Sequence, residues 1–585
     1  MFNKEAPFTG RFFYDKFVWC IGFCALFVSF FVPLHFPPWL SWHSEMLVIA
    51  GVMLTCCAML AKRVTSGRAL QAVALPRSVV VFAALPAVMF LQWMFGQLPY
   101  GGDVLIIGFY AALCVVCLAL GFESGNDLQR HNPCKVLAWI LLAAGFGSTV
   151  IALVQVLDVW TGSQYIVRGY SPRRPGANLA QPNHLALLLT MAIASLAYIR
   201  MDSNFLGKWV SVVLFILLAT GLAITESRAG LLQLWVLAVL FSLKSFPAEP
   251  NFSQALGLFR WQVASCVLLA TGLFVGYPTV FGLLNGVEGT TGRMTEGSMR
   301  FVVWPQLVDA VMLRPWLGWG MLQVAPAHNA VAHAYPVTEA FHYSHNIFLD
   351  FAIWLGLPAA VCLSMLTAMW LLRHLVKAQA IRSVYALALI LVFGIAATLE
   401  YQHAYTYFLA PAAFAMGVLE RVHGAKQWEF FSARVALVAV VAMTGLMAWS
   451  AVEYFALEED IRIVRFQASR IGSTPQGYEA PRTLLLTQLS ALANNSRIKV
   501  MPDMTQTQLA ALQNTALRYP WTATQSRYAL ALAMNGNISE GQRQLHVMRA
   551  QHGTRIFLLV VDELNLQLKA TNSSDEFSSV IGWLK

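Results

Sequence analysis

The chain has 585 residues, of which 58% are hydrophobic and only 12% are charged, and its mean hydropathy is +0.59. An ordinary globular domain carries about 25% charged residues, so this composition excludes one and predicts a polytopic membrane protein. The net charge of +10 suggests a nucleic-acid partner at first sight. However, no run interleaves aromatic residues with Lys and Arg as a single-strand binding groove would, so we expect no nucleic acid.

Apolar stretches close to the roughly 20 residues that cross a bilayer recur along the chain. We count about thirteen of them, which predicts an all-α membrane protein with about thirteen transmembrane helices. They lie at about 18–36, 45–62, 78–96, 104–122, 136–157, 184–199, 209–225, 228–243, 262–284, 346–372, 383–400, 404–420 and 434–456.

Lys and Arg set the orientation of these spans, because cytoplasmic connections carry an excess of both. Basic residues occupy the N-terminal segment and alternate connections, whereas the connections at 37–44 and 97–103 contain none. This alternation predicts a cytoplasmic N-terminus. Because the expected number of spans is odd, it also predicts that the segment after about residue 457 lies outside.

One outer connection, at about 285–345, is much longer than the others. It begins with a Gly- and Thr-rich run, continues as an amphipathic stretch at 299–313, and then forms an indole-rich turn, RPWLGWG, at 314–320. We expect this loop to be partly helical and to pack on the membrane surface. A loop of this length is usually functional.

The chain becomes polar and rich in Gln and Asn after about residue 457. Within this tail, residues 518–553 predict a helix, an Asn-Gly-Asn turn and a second helix, because Ala and Leu recur at helical spacing. The pair resembles one tetratricopeptide-like unit, and a generic small helical domain is the alternative. We therefore predict a transmembrane domain at 1–457, which includes the long loop, and an outer helical domain at 458–585.

Four polar clusters fall on the outer side of this topology. Charged groups at a bilayer face are costly and usually mark a functional site. The clusters are RRPGANLAQPNH (173–184), TESRAG (225–230), TEGSMRFVVW (295–304) and HYSHN (342–346).

Two arginines in these clusters suit a phosphate or diphosphate group. Arg228 lies in a short connection between two spans, and Arg300 lies just before the apolar stretch of the long loop. A guanidinium donates two parallel hydrogen bonds and stays charged, so two such groups can clamp a diphosphate. The alternatives for Arg228 are an arginine that reaches toward lipid phosphates and an arginine paired with Glu226.

His345 lies where the long loop enters the next span. A histidine there can accept a proton near neutral pH and activate a hydroxyl. The alternative is that Ser344, His345 and Asn346 only cap a helix. His342 and His345 also have a spacing that two metal ligands can share, but no Cys₂His₂ or HExxH spacing occurs, so we expect no metal.

The order of these motifs resembles the Wzy and WaaL superfamily, which comprises O-antigen polymerases, O-antigen ligases and bacterial O-oligosaccharyltransferases. The motifs are SRAG (227–230), MRFVVW (299–304), RPWLGWG (314–320) and SHNIFLDFAIWLGLP (344–358). The long tail and two further phrases, QPNHLALLL (181–189) and LEYQHAYTYFLAP (399–411), resemble the PglL-type protein O-oligosaccharyltransferases.

The resemblance implies a role for each matching residue. His345 corresponds to the histidine that activates the acceptor, and Arg228 and Arg300 correspond to the arginines that hold the lipid diphosphate. Four further residues match positions that orient the glycan or the acceptor: Gln181, His184, Tyr401 and Tyr405.

The resemblance further implies a multi-pass protein of the bacterial inner membrane that moves a glycan from undecaprenyl diphosphate to Ser or Thr of a periplasmic protein such as a pilin. One displacement would invert the anomeric carbon, without a metal or another cofactor. An O-antigen ligase acting on lipid A core and a polymerase remain alternatives, and a transporter is a distant one. The tail favours a protein acceptor, because helical-repeat surfaces bind polypeptides. The charges gather at one face, whereas transport sites lie near the midplane.

Overall fold

The computed structural model describes residues 9–125, 133–160, 162–168, 171, 173–203, 205–244, 252–285, 298–469, 471–474 and 476–570. At 9–17, 252–260 and 565–570 only the backbone is described. The Gly- and Thr-rich beginning of the long loop, at 286–297, lies outside the described residues.

Helices make up most of the described chain. The first group is α1 (Thr9–Ser29), α2 (Trp42–Arg63), α3 (Val79–Met94), α4 (Gly101–Ser124), α5 (Pro133–Val156), α6 (Pro182–Asp202), α7 (Lys208–Thr225), α8 (Arg228–Leu243) and α9 (Phe252–Asn285). The long loop contains α10 (Met299–Leu313) and α11 (Val324–Ala332).

The second group follows the long loop. It contains α12 (Ile347–Leu355), α13 (Leu357–Lys377), α14 (Ile381–Leu399), α15 (Thr406–Val422), α16 (Ala433–Ala468), α17 (Thr487–Asn495), α18 (Gln506–Arg518), α19 (Thr522–Met534), α20 (Ile538–His552) and α21 (Thr554–Ala570). Two short strands, β1 (Leu75–Pro76) and β2 (Gln427–Trp428), pair antiparallel.

The polytopic helical architecture predicted from composition is confirmed. Among the described residues, nine helices are long and apolar enough to cross a membrane, and three more apolar helices are shorter. The nine correspond to α2, α4, α5, α6, α7, α9, α13, α14 and α16. The total of about thirteen crossings stays a prediction.

The single span predicted at 346–372 is two helices, α12 and α13, with Gly356 between them. Gly356 has φ +84°, and a Cβ placed on it would lie 2.3 Å from the carbonyl oxygen of Trp316. Only glycine adopts this conformation and accepts this contact without strain. The hydropathy pattern could not reveal the break, because both helices are apolar.

The described residues form two compact units. The first comprises the described residues of 1–85, 108–296 and 368–448. The second comprises those of 86–107, 297–367 and 449–585. The predicted boundary at 457 falls within α16, so the division of the chain at that residue stays a prediction.

In the first unit, α6 and α8 lie side by side and run in the same direction. Thr190 of α6 donates a hydrogen bond to the Gln233 side chain of α8 at 2.8 Å. One turn earlier in each helix, a Cβ placed on Gly230 would lie 2.8 Å from the Cβ of Ala186, so the backbones approach closely there. The N-terminal ends of both helices therefore lie at the same end of the unit.

Helix α14 packs against α6 in the opposite direction. The rings of Tyr198 and Tyr385 stack with centroids 4.5 Å apart, and Ser195 is 2.9 Å from the Tyr385 hydroxyl. At the other end of the pair, Asn183 donates to Glu400 at 2.6 Å. The C-terminal end of α14 therefore lies beside the N-terminal end of α6.

In the second unit, the tail packs on the helices of the long loop. The backbone N–H of Thr338 donates to the carbonyl oxygen of Ala550 at 2.9 Å. Asn329 of α11 donates to the Gln544 side chain at 3.1 Å, and Arg543 donates to the Asn329 carbonyl at 3.1 Å. The tail and the loop therefore share one packed body.

Helices α19 and α20 are the pair predicted within 518–553, and they turn at 535–537. Helix α18 precedes the pair and begins with a capping box, in which Thr505 and Gln508 bond each other's backbone N–H groups. An apolar core joins α19, α20 and α21 through Ala529, Leu530, Leu545, Met548, Val561 and Leu564. The tetratricopeptide-like character of this arrangement stays a prediction.

A buried ion pair anchors the tail to the first turn of α4. Arg518, at the end of α18, donates two hydrogen bonds to Asp103 at 3.0 and 3.2 Å. The exposed fraction is 16% for the Arg518 side chain and 0% for that of Asp103. Next to this pair, the Gly102 N–H donates to Thr487 of α17 at 2.9 Å.

The Asp103–Arg518 pair should contribute strongly to stability. We predict that Asp103→Ala lowers the free energy of unfolding by about 3–5 kcal/mol, because it leaves the Arg518 guanidinium buried without its carboxylate. Arg462→Ala is the matched control, since it breaks the Arg462–Glu459 pair, which contributes little to stability because both side chains are exposed to water. Thermal unfolding in detergent measures both. Equal shifts in the two variants would contradict the prediction.

Candidate active site

Each of the two units carries part of the predicted site. The first unit contains Gln181, His184, Arg228, Tyr401 and Tyr405. The second unit contains Arg300 and His345. All seven residues are described, and each has a defined place at the start of a helix or in a connection beside one.

His345 adopts a left-handed backbone conformation, with φ +60°. The next residue, Asn346, is the N-cap of α12, and its side-chain oxygen accepts from the N–H groups of Phe348 and Leu349 at 3.0 and 3.2 Å. The cap of this helix is therefore Asn346. A non-glycine residue with positive φ is uncommon, and such residues cluster at functional sites.

The residues around His345 fix this conformation. The buried Ser344 donates its backbone N–H to Asp350 at 2.8 Å, and its carbonyl accepts the indole N–H of Trp304 at 2.7 Å. The ring of Phe341 lies with its centroid 4.6 Å from that of His345. The backbone just before His345 is therefore held by Asp350 and Trp304, and the imidazole packs on Phe341.

Arg300 is tied to the same region through α10. It is the second residue of this helix, whose N-cap is Ser298. Residues four apart share a helix face, so Arg300 lies one turn from Trp304. Since the Trp304 indole bonds the carbonyl of Ser344, the described contacts bring the start of α10 to the segment that holds His345.

His342 and His328 occupy different environments in the same unit. The side chain of His342 is exposed, whereas that of His328 is fully buried. The Nε2 atom of His328 lies 2.9 Å from the Gln306 side chain and 2.9 Å from the Thr338 hydroxyl. Burial lowers the pKa of His328 to about 4, so it is neutral at pH 7, and it joins α10 and α11 to the connection that follows α11.

Gln181 and His184 lie at the start of α6 in the first unit. Gln181 is the N-cap, and its side-chain oxygen accepts the His184 N–H at 2.8 Å. Pro182 occupies the first helical position, where its missing N–H costs nothing. The sequence QPNH therefore fixes this end of α6.

Aromatic rings surround the buried His184. Its ring centroid lies 4.2 Å from that of Tyr405 and 6.3 Å from that of Tyr401, and both contacts are edge-on. The hydroxyl of Tyr407 lies 3.4 Å from Nδ1 of His184. The structure thus brings three of the predicted residues, His184, Tyr401 and Tyr405, into one cluster.

Arg228 is the first residue of α8 and is partly exposed. Glu226, the acidic residue considered as its partner, is bound by Arg173 through two hydrogen bonds at 2.5 and 3.0 Å. The adjacent Arg174 donates to the carbonyl of Thr225 at 3.0 Å. The TESRAG loop therefore lies against the start of the 173–184 cluster.

Arg173 and Arg174 received no individual role from the sequence, although they belong to the 173–184 cluster. Both contact the TESRAG loop that precedes Arg228, through Glu226 and Thr225. The signal in the sequence was two consecutive arginines in a connection that the sequence predicts to lie on the outer side. Among the described residues, no group of three or more His, Cys, Asp or Glu side chains could hold a metal ion.

Comparison with known proteins finds families and relatives that match this helical chain. Residues 213–364 match the family described as O-Antigen ligase, and residues 384–564 match the family described as Virulence factor membrane-bound polymerase, C-terminal. The first match contains Arg228, Arg300 and His345. The second contains Tyr401 and Tyr405.

Two proteins of Acinetobacter baylyi are similar to this chain. A general O-oligosaccharyltransferase is 23% identical over 537 residues, which cover 89% of this chain and 90% of that protein. A ComP-specific O-oligosaccharyltransferase is 27% identical over 351 residues, which cover 59% of this chain and 62% of that protein. The chain therefore carries an O-antigen ligase family domain and is homologous to O-oligosaccharyltransferases, which confirms the resemblance seen in its motifs.

The buried His328 should make the second unit sensitive to acid. Its pKa is near 4 in the folded protein and 6.5 otherwise, so the unfolded chain takes up a proton that the folded chain resists. The stability present above pH 6.5 is lost as the pH falls toward 4, by up to about 3 kcal/mol. We predict that His328→Gln unfolds at a midpoint that changes less between pH 7 and pH 4.5. The exposed His333→Gln is the control and should follow the wild type.

Proposed function

We propose that this protein is an O-oligosaccharyltransferase that moves a glycan en bloc from undecaprenyl diphosphate to Ser or Thr hydroxyls of periplasmic proteins such as pilins. The observation that carries the proposal is the relative named general O-oligosaccharyltransferase, which aligns with 89% of this chain. The second relative is named as specific for ComP. A transferase named for one acceptor supports the proposal that the acceptor here is a protein.

His345 accepts the proton of the acceptor hydroxyl as that oxygen attacks the anomeric carbon. The bond from this carbon to the diphosphate oxygen breaks in the same step, so the anomeric configuration is inverted. Arg228 and Arg300 stabilise the charge on the departing undecaprenyl diphosphate. The donor arrives activated, so the reaction needs no metal or nucleotide. The fixed left-handed backbone of His345 and the Trp304 link to α10 support this assignment.

Gln181, His184, Tyr401 and Tyr405 position the glycan or the acceptor in this proposal. Their support is the shared cluster at the start of α6, where Tyr401 and Tyr405 lie with ring centroids 5.8 Å apart. The ring faces of tyrosines suit the apolar faces of sugar rings, and their hydroxyls suit sugar hydroxyls.

The membrane orientation belongs to the same proposal. The protein lies in the bacterial inner membrane, and its long loop and tail face the periplasm. The support within the first unit is that the N-terminal ends of α6 and α8 and the C-terminal end of α14 lie together. Gln181, Arg228 and Tyr401 therefore belong to one end of the helical bundle.

A second candidate is a polymerase or an O-antigen ligase that transfers the same donor to a glycan or to lipid A core. The observation that favours it is the match of residues 384–564 to a family described as membrane-bound polymerase. Co-expression with a lipid-linked glycan pathway and candidate pilins, in a strain without its own ligase, separates these activities. A glycan-sized mass on the intact pilin supports protein transfer, and glycan on lipid A core alone contradicts it.

The role of His345 is testable with a variant that preserves the fold. Asparagine tolerates positive φ, and the cap residue Asn346 is untouched, so His345→Asn should fold normally. General-base help is worth about 10²- to 10⁴-fold in rate, and we expect glycan transfer to fall by that factor. Transfer is measured with purified enzyme and a lipid-linked donor. The exposed His342→Ala should be much milder, and near-normal turnover by His345→Asn would remove the general-base role.

The two arginines should affect use of the donor more than stability. We predict that Arg228→Ala and Arg300→Ala raise the KM for the lipid-linked donor, while their free energies of unfolding stay within about 0.5 kcal/mol of wild type. Replacement by Lys should restore donor use only partly, because an ammonium lacks the planar fork of donors. Arg462→Ala, a change of an exposed tail arginine, is the control. Wild-type transfer by both alanine variants at limiting donor would exclude them from the site.

A further inference from the structure

Helix α10 has a buried side and an exposed apolar side. Its buried side chains are Val303, Gln306, Leu307, Ala310 and Val311. Its exposed apolar side chains recur at positions that a helix places on one face, and the following turn adds two more. We call these exposed residues the apolar stripe: Phe301, Val302, Val308, Met312, Leu313, Trp316 and Leu317.

The exposure of the apolar stripe is large at both ends. The exposed fraction is 71% for Phe301, 76% for Trp316 and 72% for Leu317. Single exposed apolar residues are ordinary, but a contiguous apolar patch of this kind marks contact with a protein or with lipid. The surroundings of the stripe decide between these two occupants.

The indole-rich turn at the end of the stripe is bonded to the start of a membrane span. The Leu357 N–H donates to the carbonyl oxygen of Pro315 at 2.7 Å, and the Trp319 N–H donates to that of Ile353 at 2.6 Å. Gly318 and Gly356 allow this approach, since a Cβ on Gly318 would lie 2.5 Å from the Ile353 oxygen.

Leu357 is the first residue of α13. In the most apolar stretch of this helix, only 11% of the residues are buried. Its first turns expose Val361, Met365 and Leu366. A membrane-spanning helix with an exposed apolar surface faces lipid acyl chains, because these chains are as apolar as the helix surface. The turn bonded to its first residue therefore lies at the level where this span leaves the bilayer, and the same bilayer covers the apolar stripe.

The polar residues of α10 and its turn suit a shallow position at the membrane interface. Asp309 lies on the same helix face as the apolar stripe, and its carboxylate accepts a hydrogen bond from the Tyr335 hydroxyl. This part of α10 therefore stays at the level of the lipid head groups. Arg314 follows the helix, and its guanidinium lies 4.1 Å from the centroid of the Trp319 ring. Tryptophan and arginine at such a border are typical of membrane interfaces.

We propose that α10 and the turn at 314–320 lie flat in the bilayer interface, with the apolar stripe against phospholipid acyl chains. On a helical projection, Arg300 and Trp304 fall on the side away from the middle of the stripe. Trp304 bonds the residue before His345, so the membrane contact sets the depth of Arg300 and His345 at the phosphate level. The lipid contact stands without the proposed function, whereas this depth-setting role rests on it.

Photo-crosslinking in lipid nanodiscs tests the contact directly. Three variants of the protein each carry one p-benzoylphenylalanine. It replaces Met312 in the first, Leu317 in the second, and Glu339, an exposed residue of the same unit, in the control. The discs contain radiolabelled phosphatidylethanolamine and phosphatidylglycerol. We expect lipid adducts at Met312 and Leu317 in about tenfold higher yield than at Glu339, as for an interfacial amphipathic helix. Equal yields overturn the proposal, and so does a main adduct with a second copy or with an added pilin.

A kinetic arm tests the depth-setting role. The double variant Met312→Asp, Leu317→Asp places carboxylates against lipid and should raise the KM for the lipid-linked donor about tenfold, because charge at a bilayer is unfavourable. Glu339→Gln is the control. An unchanged KM beside strong lipid adducts overturns the depth-setting role alone. No transfer by the wild-type enzyme refutes the proposed function, while the crosslinking result still decides the lipid contact.

Discussion

The bilayer requires every backbone N–H and C=O group within it to be satisfied by the protein, and the rest of this structure follows from that requirement. Among the described residues, irregular backbone lies in the connections between helices, so polar chemistry collects there and at the helix ends. The helix starts beside the predicted site residues are fixed by side-chain caps: Gln181 for α6, Ser227 for α8, Ser298 for α10 and Asn346 for α12. His184, Arg228, Arg300 and His345 each lie within three residues of one of these caps. A helix start presents N–H groups and a positive dipole end, which would complement the anionic donor that we propose.

The two units satisfy the same requirement in different ways. In the first, long helices pack through small residues and ring contacts. In the second, α18 and α20 contact α11 of the long loop, and buried polar side chains of the loop are paired: His328 with Gln306 and Thr338, and Asn329 with Gln544 of the tail. A loop with so many buried polar contacts is a rigid scaffold for His345, which keeps a costly backbone conformation only because Trp304 and Asp350 hold its neighbour Ser344.

Local patterns predicted local structure well. The amphipathic stretch at 299–313 is α10, and the helical pair in the tail is α19 and α20. The break at Gly356, the Asp103–Arg518 pair and the Arg173–Glu226 pair depend on partners that only folding brings near, so no window of sequence contains them. Which of the adjacent residues Ser344, His345 and Asn346 caps α12 was also decided only by geometry, and the cap is Asn346. The resemblance to a family provided the candidate roles, which propensity and periodicity alone could not.

The packing of the tail on the long loop has a consequence for biogenesis. Ribosomes release the chain from the N-terminus onward, and segments begin to fold as they emerge. The loop with His345 is therefore made long before Gln544 and Ala550, which bond it in the finished protein. Until α20 is made, Asn329 and Thr338 lack these partners. A chain stalled or cut before α20 would insert its spans yet leave the loop incompletely ordered, so the maturation of the His345 region waits for the synthesis of α20.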